Sequence, residues 1–348
     1  MEMESSDASI STLIACVASN DDLESAIDFA VDFAARYSII PKTLFELTSI
    51  CEKEEMFREK YVFARACAAS SDGKLREDAY LLAGDTALFL KQKDRALQDY
   101  LTALSLNPEN PEALSRQGFT LTELERPEEA LRVLEKALVR HPFHPDTLCN
   151  YGYLLSRPGH FAEAERAFRK ALVLDPMHVN THCRYGTLLS ELGKNTGALY
   201  HYKRALELDP MHAESNYRYA LFLTRAKNPI DAEVHYLTAL MLDPQNLPVH
   251  RSYAQMLSDC GHLDGARKHF TYALDLDPED VETLTGYALL LTNFGHRHAA
   301  EVQYKKALDL DPNNIRALHG YAYLLKERGF EGRAEEMNRR ASALEVDS

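Results

Sequence analysis

From residue 77 onward, small, large and helix-breaking positions return every 34 residues. Within one period, Leu148, Tyr151 and Leu155 lie three and four apart, which places them on one apolar stripe of a first helix. Ala164, Phe168 and Ala171 step by four and three and form a second such stripe. Pro158 and Gly159 break the chain between them. Asp175 and Pro176 end the second helix, because a residue before proline is driven out of the helical region and proline has no N–H to donate. Gly152 is placed to let the second helix approach closely. A hairpin of this kind hides only part of its apolar surface alone, so neighbours must stack.

The periodic columns are nearly complete. Proline recurs from Pro108 through Pro176 to Pro312, and alanine recurs without exception from Ala96 to Ala334 and from Ala103 to Ala341. Between the alanines stand Tyr100, Leu134, Phe168, Tyr202, Tyr236, Phe270, Tyr304 and finally Asn338. This pattern resembles the tetratricopeptide repeat. The resemblance covers residues 77–348 as eight repeats: 77–110, 111–144, 145–178, 179–212, 213–246, 247–280, 281–314 and 315–348. It implies an all-α, right-handed superhelical solenoid of tandem helical hairpins. The family often has Trp at the first large position, where this chain has Tyr80, Leu114, Leu148, His182, Asn216, His250, Leu284 and Leu318.

Residues 1–76 lack the columns but keep helical periodicity. Four stripes, Ile10-Leu13-Ile14-Val17, Leu23-Ile27-Ala30-Ala34, Leu44-Leu47-Ile50 and Phe57-Tyr61-Ala64-Ala68, predict two degenerate hairpins broken at Pro41 and at Ser71 to Gly73. Much of the chain's excess acid lies in this segment, which reads as a solubilising cap over the first repeat, the alternative being a docking site for a basic partner.

Composition narrows the possible partners. The net charge of -14, with no basic cluster beyond Lys305-Lys306 and Arg339-Arg340, argues against nucleic acid and anionic membranes. No apolar run approaches a membrane span, and Glu2, Glu4 and Asp7 stand where a secretory signal needs positive charge. The six cysteines show no CxxC spacing and read as reduced thiols. A cytoplasmic protein, with the nucleus also open to it, is the expectation.

Fragments that imitate catalytic or metal motifs fail on their residues. Asp309, Asp311 and Asn313 begin like a calcium loop, but Asn314 and Gly320 occupy the places of its glycine and its bidentate Glu. Gly193-Lys194 is followed by Asn195 where a phosphate loop needs Ser or Thr. His178 and His182, and likewise His296 and His298, match no metal-ligand motif with a carboxylate or thiol, and neither pair is read as a metal site. His201, His235 and His269 form a ladder on successive second helices and read as exposed imidazoles beside the aromatic column, with a pH-sensitive or partner-contacting strip as the alternative. No paired nucleophile and base appears. The expectation is no catalysis, no cofactor and no metal.

In this family, positions two, five, nine and twelve of each first helix line the concave groove, and the resemblance implies the same here. These positions share one helical face, opposite the buried stripe. On that face, or beside it, the chain carries Leu81, Leu88, Phe89, Phe119, Tyr153, Tyr217 and Leu221, and an exposed apolar strip marks a binding site; the alternative is that the N-terminal hairpins fold over part of it. The family's chaperone-tail clamp needs a Lys and Asn pair that no repeat has. The asparagine ladder of the O-linked N-acetylglucosamine transferase has one counterpart, Asn150, in a row with Arg116, Arg184 and Arg218. Glu112 with Arg116, and Glu214 with Arg218, are spaced for ion pairing within a helix.

Two functions fit. One is a non-catalytic scaffold or adaptor holding a protein or peptide segment in the groove. The other is a regulatory or substrate-docking subunit of a separate enzyme such as a glycosyltransferase. In the last repeat Asn338 replaces the aromatic among Glu335, Glu336, Arg339 and Arg340, which reads as a polar cap on a chain that is monomeric by itself or part of a larger complex.

Overall fold

A computed structural model describes residues 2–157 and 159–346, and side chains from residue 10 to 345 within that range. Pro158, read as half of a chain break, lies outside the described residues. The described chain is helical throughout, with no strand among the described residues. It separates into two compact units, residues 1–188 and 189–348, and the division falls within one helix, Val179–Glu191.

In the N-terminal unit, α1 (Glu2–Ala18), α2 (Leu23–Arg36), α3 (Pro41–Lys53) and α4 (Phe57–Ser70) precede the periodic helices α5 (Gly73–Phe89), α6 (Lys93–Leu106), α7 (Pro111–Glu123), α8 (Pro127–Arg140), α9 (Pro145–Ser156) and α10 (Phe161–Leu174). The four stripes of residues 1–76 fall on four helices, and Leu13, Val17, Ala30, Leu44 and Ala64 are fully buried. One position differs. Ile50 is 49% exposed, and Cys51 takes its place in the core because the third helix is rotated so that Leu44, Leu47 and Cys51 form the inner stripe. Helix α4 packs against α1, α2, α3 and α5, so the segment and the first repeat share one hydrophobic core.

The helix numbered α11 is Val179–Glu191. The C-terminal unit continues with α12 (Asn195–Leu208), α13 (Ala213–Arg225), α14 (Pro229–Leu242), α15 (Leu247–Asp259), α16 (Leu263–Leu276), α17 (Val281–Asn293), α18 (Arg297–Leu310), α19 (Ile315–Glu327) and α20 (Glu331–Val346). Within it, α13, α15, α17 and α19 each pack on the second helix of their own repeat, and neighbouring members of this row touch.

The periodic residues work as their sizes demand. Every alanine of both columns is buried, and the large residue between them is buried in the first seven repeats. A Cβ added at Gly152 would come within 2.9 Å of the Phe168 ring, so glycine there is what admits the knob. The turn between paired helices also recurs. Lys91, Glu125, Gly159, Gly193, Lys227, Gly261, Gly295 and Gly329 all have positive φ, a left-handed conformation that closes a helix and suits glycine best. The next N–H then reaches back to the helix, as from Asn228 to Leu223 O at 2.9 Å. At the other junction, Asn110, His144, His178, His212, Asn246, Asp280 and Asn314 cap the following first helix with a side-chain acceptor.

Candidate functional site

The seven apolar residues expected on the first-helix face have different surroundings, and position five is buried at Leu81, Ser115, Cys149, Cys183 and Thr285. Leu81 is only 5% exposed and belongs to the core shared with residues 1–76, which corrects its placement on a solvent-wetted strip. Leu88 is half-buried against the same core. Phe89 is 57% exposed and lies over Phe57, with ring centroids 4.0 Å apart.

Phe119 and Tyr153 come together from α7 and α9 at 6.1 Å. Arg184 covers both, its guanidinium carbon 4.8 Å from the Phe119 centroid and 4.6 Å from that of Tyr153, which is cation–π distance. It also donates to Asn150 Oδ1 at 2.6 Å, and Asn150 donates to Ser115 Oγ at 2.9 Å. Tyr153 donates its hydroxyl to Glu123 at 2.8 Å, and burial together with that carboxylate pushes its pKa up to about 12. The strip is therefore an aromatic pair beneath an arginine, both rings half-buried. The row of arginines pairs as the spacing predicts. Arg116 reaches Glu112 at 3.3 Å and also Asp85 at 3.2 Å, and Arg218 reaches Glu214 at 2.6 Å.

In the C-terminal unit, Tyr217 shares a hydrogen bond with Ser252 at 3.1 Å, and Leu221 lines a cavity of about 390 Å³. Three arginines, Arg225, Arg251 and Arg316, also line it, with Glu282 as the carboxylate among the lining residues. Arg251 is held by Asp280 at 2.8 Å, and Arg316 by Glu282 at 3.3 Å and Gln255 at 3.2 Å. Apolar periodicity does not mark these residues in the sequence, because they are charged and drawn from separate repeats. One signal was present: position two is acidic in Asp78, Glu112, Asp146, Glu214 and Glu282, then reverses to Arg316.

The histidine ladder is also different from its expectation. His235 Nδ1 meets Asn216 Oδ1 at 2.9 Å, and His269 Nδ1 meets His250 Nδ1 at 2.8 Å. Asn216 and His250 stand where the family often has Trp, so two oddities of the sequence are one polar pairing between helices. Burial holds both His250 and His235 below the ordinary imidazole value, and burial with the adjacent His250 pushes His269 down to about 4.

His178 caps α11, and its Nε2 lies 3.0 Å from Asp146. Burial opposes its charge, but Asp146 and Cys149 prevail and raise it to about 10. For Cys149, burial is likewise outweighed by Arg184, so the thiol is held low. That thiol is 1% exposed and offers no face to a substrate. Among the described residues no three His, Cys, Asp or Glu side chains converge as metal ligands, and no helix is long and apolar enough to cross a membrane. Asp311 Oδ1 accepts the Asn313 N–H at 3.1 Å, a junction turn where the sequence imitated a calcium loop.

No curated protein is significantly similar to the chain in sequence. Solved structures resemble it at low identity. The Cut9–Hcn1 hetero-tetramer of the APC/C aligns over 94% of this chain and 71% of its own, at 15% identity and a TM-score of 0.71. PilF of Pseudomonas aeruginosa aligns over 61% and 97%, at 20% identity and 0.52. A thermophilic tetratricopeptide protein of Thermus thermophilus aligns over 52% and 98%, at 25% identity and 0.48. Sequence profiles of the tetratricopeptide repeat match residues 81–145, 120–178, 149–210, 183–246 and 281–314, more than half of the chain. With these matches and the helical hairpins on which they fall, the chain belongs to the tetratricopeptide repeat family.

Proposed function

We propose that this chain is a non-catalytic scaffold or adaptor, and that it holds an extended or helical segment of another protein against its first-helix face. The observation that carries this reading is the aromatic pair Phe119 and Tyr153, held under Arg184 on that face, since aromatic and arginine side chains concentrate interface energy. A partner displacing or stacking on Arg184 gains ring surface without unfolding anything, because neither ring belongs to the fully buried set. The rival, a docking subunit of a glycosyltransferase, draws less support. Its asparagine row has one member here, and Asn150 is engaged by Arg184 and Ser115. Four of the six free cysteines are buried, which fits a reducing compartment such as the cytoplasm or nucleus.

The test is affinity purification from native cells, with mass spectrometry, of the wild type against a Phe119→Ala, Tyr153→Ala double variant. Partners should be depleted about tenfold or more from the variant, with circular dichroism unchanged. An identical partner list for both proteins moves the site elsewhere, and a list dominated by one transferase favours the docking-subunit reading.

A further inference from the structure

The cavity of the C-terminal unit opposes the charge of its own chain. The protein carries -14, yet three guanidiniums and a single carboxylate line this cavity. The arginines come from three first helices, α13, α15 and α19, so three separate repeats supply them. Two are oriented before any guest arrives: Arg251 by Asp280, itself fixed by donation from the Thr283 N–H at 2.8 Å, and Arg316 by Glu282 and Gln255. A guanidinium has five N–H donors, so these bonds leave donors for a guest. Arg225 has neither ion pair nor hydrogen bond among the described residues and is exposed. Beneath them, Tyr236, Met256 and Phe270 form an apolar floor that Leu221 extends.

We propose that this cavity is a selective subsite for an acidic peptide segment, in which an Asp or Glu side chain is held by Arg225, Arg251 and Arg316 while a neighbouring apolar side chain rests on the floor beside Leu221. The inference rests on the scaffold reading and adds the chemistry of what is held. The argument is complementarity. Asp280 and Glu282 balance Arg251 and Arg316, so the water-filled cavity keeps Arg225 as an uncompensated cation over an apolar floor; a carboxylate beside an apolar group satisfies both at once. A basic segment would meet three like charges.

A phage-displayed library of random dodecapeptides selected on the full-length chain tests this. Selected peptides are expected to carry Asp or Glu within about three residues of Leu, Ile or Phe, the reach of neighbouring side chains on an extended strand. A fluorescein-labelled representative should bind about tenfold or more weakly to Arg225→Glu, and several-fold more weakly in high salt. Among the described residues Arg225 has no ion pair or hydrogen bond, so this variant should keep the wild-type circular dichroism spectrum. Arg251→Met gives a second reading with charge removed and not reversed. Selection of basic or uncharged peptides, or acidic peptides whose affinity Arg225→Glu leaves within about twofold, overturns the subsite. If such peptides are instead lost in the Phe119→Ala, Tyr153→Ala variant, the scaffold reading stands without it. A selection that yields no binder overturns the subsite, and the native-partner purification then decides the scaffold reading separately.

Discussion

The two units take the same repeat positions and give them different chemistry. At position nine the N-terminal unit has Phe119 and Tyr153, and Arg184 lies across both rings. At position nine the C-terminal unit has Leu221 and Gln255, flanked by Arg251 at position five and Arg316 at position two around an open cavity. In the first, the arginine is engaged by the rings; in the second, the arginines are anchored at one end and keep donors at the other. The columns that build the hairpins leave the first-helix face free to vary, so the fold is shared while the binding chemistry is local.

The largest effect expected from this comparison separates fold from face. Phe168→Ala and Phe270→Ala each remove a fully buried ring, and each should cost about 3–5 kcal/mol in urea unfolding. Only Phe270 lines the cavity, so only Phe270→Ala should also weaken an acidic peptide in the remaining folded protein. Equal loss of peptide binding in both variants would mean that the cavity is not the site. Next in size is Ala164→Leu. That side chain is fully buried in a column that is alanine in every repeat, and overpacking should cost about 1–3 kcal/mol. A melting curve superimposable on wild type would falsify close packing at this column.

The histidines divide the units again, with opposite signs. His269 sits at about 4 against an ordinary 6.5, through burial and His250. It packs among Tyr253, whose hydroxyl donates to Glu233, and His250, which lies tilted against Tyr272; Lys268 and Asp243 are the charged groups acting on the pair. An imidazole lowered on folding contributes its full stability above 6.5 and loses it as pH falls toward 4. Roughly 1–2 kcal/mol is expected, after allowance for partial exposure. His178 is raised, so its contribution is complete below 6.5 and is lost as pH rises toward about 10. His269→Gln should flatten the acid-side fall in melting temperature between pH 7.5 and 5, and His178→Gln should leave that fall in place. If His269→Gln falls as far as wild type, the His250–His269 contact is not what acid breaks.

What the sequence made legible was whatever repeats. Alanine columns, the knobs between them and the prolines recur in register, and each periodicity reports a contact that every hairpin makes. Leu81 was misplaced because its burial comes from the non-periodic helices of residues 1–76, which share its core. The ladder hid its partners because His235 and His269 meet residues 19 positions earlier, on the other helix of the hairpin. The arginine cavity was hidden by distance along the chain: Gln255 and Arg316 are 61 residues apart, and no local spacing connects them. A departure within a column, such as Arg316 in an acidic row, was the one visible mark.

The smallest expected effect compares two pairs that look identical in sequence. Glu112 with Arg116 and Glu214 with Arg218 share one spacing and one position in their repeats, and an exposed pair of this kind contributes a few tenths of a kcal/mol. Their surroundings differ. Arg218 lies beside Tyr217, its guanidinium carbon 5.5 Å from the ring centroid, whereas Arg116 also reaches Asp85 of the preceding repeat. Asp85 is raised by burial, a penalty that Arg116 offsets, and it also accepts the Tyr100 hydroxyl at 2.8 Å. Arg218→Ala should therefore cost no more than about 0.5 kcal/mol. Arg116→Ala should cost about 1 kcal/mol or more, because it leaves a half-buried carboxylate with only the tyrosine. Asp85→Asn should remove most of that difference, since an amide needs no cation beside it. Urea unfolding of the three single variants and the Asp85→Asn, Arg116→Ala double variant measures the coupling directly. A coupling indistinguishable from zero would place Arg116 on the same footing as Arg218, and the two faces would then differ in their aromatic and arginine content alone.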